Sequence, residues 1–418
     1  MSADGALYDV VIAGAGPAGS SAACFLAQRG FKVIAFEREH FPRFHIGESL
    51  LPAAVEILNE LEIEPDPEFF LFKRGARFVC ERTNREQIFS FAEALDGPPR
   101  GAYQIERAYF DKALCDRARA LGAEIIHGVR VHSMNVEGSE VKVSTSDGEY
   151  RGRYFIDATG QDRLLARQRR SVKPYRHFGK ASVFTHFFDL TDEAIELIGE
   201  GSDIRIMMIP DGWGWIIPLA GRKVSIGIVL RTQGIKKEML DEYFASSPFI
   251  SQLIKGARRG ETRMIGNYSF RNAIPYGERF ACLGDSNCFI DPVFSSGVTL
   301  ALTSAKELVE VLAAAFERGE EDDPDLMRAS HEATEEGYET FAALVYRFYN
   351  TKIVDNIFFN APDDGSLRPA VTSVLGGDVF YGSNPFKDML LASRKRPWRE
   401  DEEAAESFDE GIEAEGII

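Results

Sequence analysis

The sequence predicts an α/β protein, and three observations carry that expectation. A continuous apolar run over residues 6–13 leads into the glycine turn GAGPAG (Gly14–Gly19), a small-residue helical stretch ends before Gly30, and a second apolar run follows over 31–36. That order is a strand–turn–helix–strand unit, the opening of a nucleotide-binding fold. From 178 to 231 the chain instead runs through alternating, aromatic-rich stretches that read as antiparallel strands. It then returns through RFACLGD (279–285), a second strand running into a glycine. The expected architecture is a Rossmann-like dinucleotide-binding domain over 1–172 and 262–322, interrupted by an antiparallel-sheet substrate domain over 173–261. A helical C-terminal region over 323–398 and an acidic tail over 399–418 complete it.

Within the first domain the pattern predicts an amphipathic helix near 49–61, irregular strands over 76–91, a helix over 107–120, and a meander ending in YFIDATG (154–160). In the inserted region ASVFTHFFDL, DIRIMMIP, GWGWIIPL and KVSIGIVL read as strands. A long helix starts near Ser295, and the segment from Asp323 to Arg396 is a helical lid over the inserted sheet, broken by Pro and Gly near 362–385.

Composition narrows the partners. No run approaches the eighteen or so apolar residues of a membrane span, and the N-terminus lacks a basic segment and a small-residue cleavage site, so no membrane association and a cytoplasmic location are expected. The net charge is −17, but nine acidic residues and no basic ones follow from Glu400, which leaves −8 on the body. That tail reads as solvating and disordered. No basic stripe is interleaved with aromatics, so nucleic acid is not an expected partner. The five cysteines show no CxxC spacing, and neither a disulfide framework nor a metal site is expected.

The glycine motif carries the first chemistry. Gly14, Gly16 and Gly19 allow the tight turn and let a pyrophosphate approach the helix that opens at Pro17 and Ala18, while Glu37, with Arg38 beside it, ends the next strand where an acid binds ribose hydroxyls. A second element, CLGDSNCFIDP (282–292), brings Gly284 and Asp285 to the place where FAD enzymes hold the ribityl and pyrophosphate end, and DATG adds Asp157 and Gly160. Together they favour FAD over NAD. No second GxGxxG is present for a resident nicotinamide, so the electrons are expected to arrive by another route. Ser296 and Gly297, at the start of a predicted helix, offer N–H groups to a small anion, although Ser295 or Ser296 also serves as a helix cap. Trp213 and Trp215, two apart on one strand, share a face.

Beyond these patterns the sequence resembles the flavin-dependent halogenases, especially the branch acting on phenols and pyrroles. The resemblance rests on GAGPAGS, FPRFHIGESLLP (41–52), KRG (73–75), QIERAYFD (104–111), WGWIIP (213–218) and FIDPVFSSGV (289–298), and it covers about residues 8–360. It implies that reduced FAD, supplied by a separate NAD(P)H-dependent flavin reductase, reacts with oxygen to a hydroperoxide. Chloride or bromide, bound at Ser296 and Gly297, attacks the distal oxygen, and the hypohalous acid passes through a tunnel to Lys73, which directs it to an electron-rich ring. The same resemblance implies flavin contacts from Glu48, Ser49, Arg107, Pro292, Gly297 and Val298, and a tunnel or substrate side formed by Trp213, Trp215, Pro218 and Phe294. His45 lines the flavin, orients Lys73 or is structural.

One departure matters. Tryptophan halogenases carry a glutamate just before the Ser-Ser/Thr-Gly turn, and here that position is Phe294. Its absence favours a phenol or pyrrole substrate, free or tethered to a carrier protein. Three other readings stay open: a geranylgeranyl-reductase-like prenyl reductase, which shares the aromatic-x-Trp-x-x-Pro segment; an FAD-dependent aromatic monooxygenase; and a non-catalytic flavin-binding relative whose tail docks a partner.

Overall fold

The computed structural model describes residues 6–175, 177–179, 181–231, 234–266, 268–360, 367–380, 382–392 and 397; the acidic tail expected over 399–418 lies outside the described residues. Leu7–Ala13 forms the centre of the first sheet because its residues are apolar enough to be covered on both faces. It runs parallel to Val33–Glu37 on one side and Gly148–Asp157 on the other, with Val10 opposite both Val33 and Tyr154. Glu124–His127 adds beside Val33–Glu37, and Phe280–Cys282 adds in parallel beside Gly148–Asp157. The chain therefore leaves this sheet after Asp157 and returns to it more than a hundred residues later. Val10 and Ile12 pack on one face against residues of the helices Pro17–Gln28, Arg107–Ala120 and Gly297–Arg318. Val11 and Ala13 pack on the other, against the hairpin Val131–Glu137 and Glu140–Thr145.

The four strands expected in the insertion are Ala181–Phe188, Ile204–Ile209, Gly212–Leu219 and Lys223–Leu230, and their mutual pairings are antiparallel. The sheet is not confined to 173–261, however. Gly75–Cys80 pairs in parallel with Ile204–Ile209, Arg85–Ser90 follows it, and Arg263–Gly266 pairs with Ala181–Phe188. The physical reason is the edge: without Gly75–Cys80, Ile204–Ile209 would present a row of unpaired backbone groups. Alternation shows that residues 75–90 form strands, but it carries no information on which sheet they join.

Alternation also divides the two faces of this sheet. Trp213, Trp215, Ile217 and Leu219 lie in one core and Ile216 in the other. The first of these cores is completed by the C-terminal helices Arg328–Asn350, Leu367–Leu375 and Pro385–Leu391 and the π-helical turn Val354–Phe359, so these helices pack on the tryptophan face. No helix among the described residues is long and apolar enough to cross a membrane.

Candidate active site

The glycine turn is closed behind and open in front. A Cβ on Gly14 would stand 2.2 Å from the Ala158 carbonyl oxygen, and one on Gly19 2.0 Å from that of Gly14. At Gly16 the only neighbour within 4 Å among the described residues is Arg43 Nη2, at 3.8 Å. The turn is thus pressed against the sheet ends while its outer side is free for a phosphate in front of the helix that begins at Pro17, with Ala18 buried behind it. Glu37 is buried and accepts from the backbone N–H groups of Ala15 and Glu39, both at 3.1 Å, so it fixes the turn as well as ending the strand. Arg38 pairs with Asp162 and Glu39.

Asp157 is fully buried and accepts from Leu165 N (2.7 Å), Thr159 N (3.0 Å) and Thr159 Oγ1 (2.6 Å), which shapes the DATG turn; Gly160 beyond it has φ +58. Gly284 also has positive φ and sits between Ala18 and Ala301, bringing Asp285 to the start of the long helix, where a Cβ on Gly297 would be 3.9 Å from Asp285 Oδ1. Burial pushes the Asp285 carboxyl up to about 6.

Arg107 is held in place by its neighbours. Its guanidinium forks onto Asp111 (2.8 and 3.0 Å) and its third nitrogen donates to the Ile46 carbonyl at 2.8 Å. Burial alone would raise Asp111, but Arg107 and Arg43 hold it below the ordinary carboxylate range. Arg43, which sequence reasoning did not single out, is the cation beside Gly16 and lies 3.1 Å from Asp111. His45 exposes much of its ring, yet enough protein surrounds it to push the imidazole down to about 3, with Arg107 acting in the same direction.

Across that segment lies Lys73, at the end of the strand Phe70–Lys73 and only 1% exposed. Its Nζ donates to Ser49 Oγ and to the Leu50 carbonyl, both at 2.9 Å, and the Phe91 ring centroid lies 5.3 Å away. Burial pushes the amine down to about 7, against the pull of Asp203. A neutral amine with two N–H groups spent on acceptors keeps a lone pair for an electrophile. Ser49 thus belongs to Lys73. Glu48 is buried and bonds His186 Nε2 at 2.7 Å, a partner that sequence reasoning missed, while its other oxygen has no partner among the described residues.

Both tryptophans are buried, with ring centroids 5.8 Å apart, and their indole N–H groups donate to Asp291 (Trp213, 3.1 Å) and Ser225 (Trp215, 3.1 Å). Pro218 is buried on the same strand, opposite Val224. Asp291 caps the short turn Pro292–Phe294, Ser295 takes a left-handed φ of 57, and buried Ser296 opens the helix Gly297–Arg318 with Gly297 and Val298 in its first turn. Thr299 Oγ1, in the same turn, is buried without a hydrogen-bond partner among the described residues. Phe294 packs edge-on against Phe348 at 5.7 Å and lies 6.2 Å from Phe358, so an aromatic wall fills this position.

The parallel sheet with its glycine turn and the large antiparallel-rich sheet beside it are the frame of a flavin-dependent enzyme. The tryptophan halogenase family model matches residues 9–99 and 98–376, and the chain belongs to that family. It is 27% identical over 413 residues to a 1H-pyrrole-2-carbonyl-(peptidyl-carrier protein) chlorinase of Pseudomonas fluorescens, covering 90% of each chain. It is likewise 27% identical to a flavin-dependent halogenase of Armillaria mellea, over 88% of this chain and 81% of that one. Among solved structures, a flavoprotein/dehydrogenase from Cytophaga hutchinsonii superposes with a TM-score of 0.82 at 29% identity, covering 92% of this chain and 96% of that one. The flavin-dependent brominase Bmp2, at 24% identity, shares the fold with a TM-score of 0.80 over 93% of this chain and 98% of that one.

The residues present fit FAD, because the cradle is open where a pyrophosphate belongs and closed elsewhere. Two substitutions separate these features. Gly14→Ala, at φ +92 and against a backbone carbonyl, is expected to cost more than about 2 kcal/mol and to lower the melting temperature. Gly16→Ala should leave the flavin-free melting temperature within about 2 °C, since its Cβ meets no backbone, yet should lose bound FAD. Thermal unfolding and the flavin-to-protein absorbance ratio check both.

Proposed function

We propose that this flavin-dependent halogenase delivers electrophilic halogen through Lys73 to an electron-rich phenol or pyrrole, free or carrier-tethered, with reduced FAD brought by a separate NAD(P)H-dependent flavin reductase. The observation that carries the reading is the buried, two-acceptor amine of Lys73 with its affinity for protons lowered to about 7. When bound, reduced FAD supplies the two-electron activation of oxygen that oxidises a halide to hypohalous acid.

The protein's own residues do the rest. The open side of Gly16 and the Arg43 guanidinium receive the pyrophosphate; the N–H groups at Ser296, Gly297 and Val298 hold chloride or bromide at the positive end of a helix of 22 residues. Lys73 then exchanges one N–H hydrogen for halogen: its lone pair takes the halogen of hypohalous acid, the N–H proton and hydroxide leave as water, and an N–X bond remains. A ring carbon takes the halogen from nitrogen, the ring proton leaves, and the amine is restored. Ser49 and Leu50 orient the amine for this exchange, and the N–H that remains holds the haloamine to one of them. The wall of Phe294, Phe348 and Phe358 provides no carboxylate at the position of the tryptophan-halogenase glutamate, which suits a ring that loses its proton readily. The pyrrole-carrier chlorinase among the relatives supports a tethered pyrrole.

The test is oxygen-dependent turnover with FAD, NADH, a flavin reductase and catalase, with and without bromide, on phenol and pyrrole probes in free and carrier-loaded form. Bromide-dependent brominated product is expected. Hydroxylated or reduced product without halogen would move the reading to a monooxygenase or a reductase.

A further inference from the structure

Four donors converge on Asp291, which is 1% exposed. Its Oδ1 accepts from Trp213 Nε1 and from Val293 N, both at 3.1 Å; its Oδ2 accepts from Gly179 N at 3.0 Å and from the Tyr349 hydroxyl at 2.7 Å. These donors come from four separate places: the strand Gly212–Leu219, the turn Pro292–Phe294, the approach to the strand Ala181–Phe188, and the end of the helix Arg328–Asn350. The convergence is tight, since a Cβ on Gly179 would stand 2.3 Å from Oδ2. A buried carboxylate is costly unless its lone pairs are filled, and here each oxygen has two donors. An asparagine would supply one acceptor oxygen and turn an amide N–H₂ toward the Gly179 N–H and Tyr349.

The turn that Asp291 caps is the one that aims the helix start. Through Pro292–Phe294 and the left-handed Ser295 it sets the direction in which Ser296, Gly297 and Val298 present their N–H groups. We propose that Asp291 is a positioning residue of the halide site, clamping this turn between Trp213 and Tyr349 so that the N–H groups converge on one anion. The inference rests on the reading that the halide binds there. It gives the first tryptophan of the WGWIIP motif a task, as a hydrogen-bond strut to the halide turn. It also links the C-terminal helix that walls the substrate side to the same turn.

The test compares wild type, Asp291→Asn, Asp291→Ala, Tyr349→Phe and Trp213→Phe, each loaded with FAD and fed by a flavin reductase, with bromide titrated against a phenol or pyrrole probe. Asp291→Asn is expected to raise the KM for bromide about tenfold while kcat at saturating bromide stays within roughly threefold, with Asp291→Ala worse. Tyr349→Phe and Trp213→Phe, which each remove one strut, should raise the same KM by about two- to fivefold. Hydrogen peroxide released per NADH should rise in the variants at low bromide and fall again when bromide is added, a rescue that general loosening would not give. An unchanged bromide KM in all four variants overturns the proposal, as does a parallel loss of kcat and FAD without any KM shift. If Asp291→Ala fails to fold, the two single-strut variants decide. Wild type that forms no bromide-dependent product would instead sink the halogenase reading beneath it, whatever the variants do.

Discussion

Lys73→Met is expected to keep the fold and bound FAD and to lose halogenation of the aromatic probe by at least about a thousandfold, equivalent to roughly 4 kcal/mol of barrier. Methionine has nearly the length and volume of the lysine stem, so the pocket beside Phe91 stays filled. What disappears is the nitrogen lone pair. Oxidation of NADH should continue in the variant, because Lys73 is bonded to Ser49 and Leu50 and makes no hydrogen bond to the glycine turn, and the halogen should emerge as free hypohalous acid. Trapping that acid with an added thioether or amine, alongside product mass spectrometry, distinguishes a lost delivery step from a lost oxidation step. A variant that retains a tenth or more of the wild-type halogenation rate would remove Lys73 from the mechanism. Lys73→Arg should fare little better than Met, because guanidinium stays protonated and has no lone pair to offer.

The parts that were legible in the sequence are those that local chemistry dictates. The strand–glycine–helix opening, the four inserted strands and the shared face of Trp213 and Trp215 follow from periodicity and from what glycine alone permits. Lys73 was found by resemblance; only the structure shows why an amine there is unusual, since its burial and its two acceptors come from the separate stretch at Ser49 and Leu50. Arg107 was read as a flavin contact by resemblance, which says nothing of the carboxylate that holds it. Its partner was four residues away in Asp111, a spacing that on a helix puts both on one face and was readable in principle. Asp291 could not have been found this way. The donors that fill it lie at positions 179, 213, 293 and 349, and only Val293 is local. Sheet membership failed for a similar reason: a strand pattern states that a segment needs a neighbour, not which neighbour it has.

The state of the Lys73 proton leads to the second large effect, a dependence on pH in both stability and rate. Burial lowers the amine from its ordinary value to about 7, so the folded protein holds this proton less tightly than the unfolded chain does. Below pH 7 both states are protonated and the wild type carries the whole cost of a buried ammonium, with an upper bound on the order of 4–5 kcal/mol. Between pH 7 and about 10.4 the unfolded chain binds more protons, so this contribution makes the protein more stable as pH rises. Lys73→Met lacks that slope; relative to wild type its melting temperature should be higher at pH 6.5 than at pH 9. The two unfilled acceptors at Ser49 and Leu50 cost it about 1–3 kcal/mol each at every pH, which lowers the curve without tilting it. The rate separates two ways in which an amine can handle hypohalous acid. Transfer through an N–X bond needs the neutral form, so halogenation at saturating bromide should fall about tenfold per pH unit below 7. Simple hydrogen bonding from an ammonium would instead lose rate above pH 7. Asp285 and Asp291, both pushed up to about 6, titrate just below this window, and the Asp291→Asn variant removes one of them. An acid limb that stays near pH 7 in Asp291→Asn belongs to Lys73, and a limb that moves with that substitution belongs to the carboxylate.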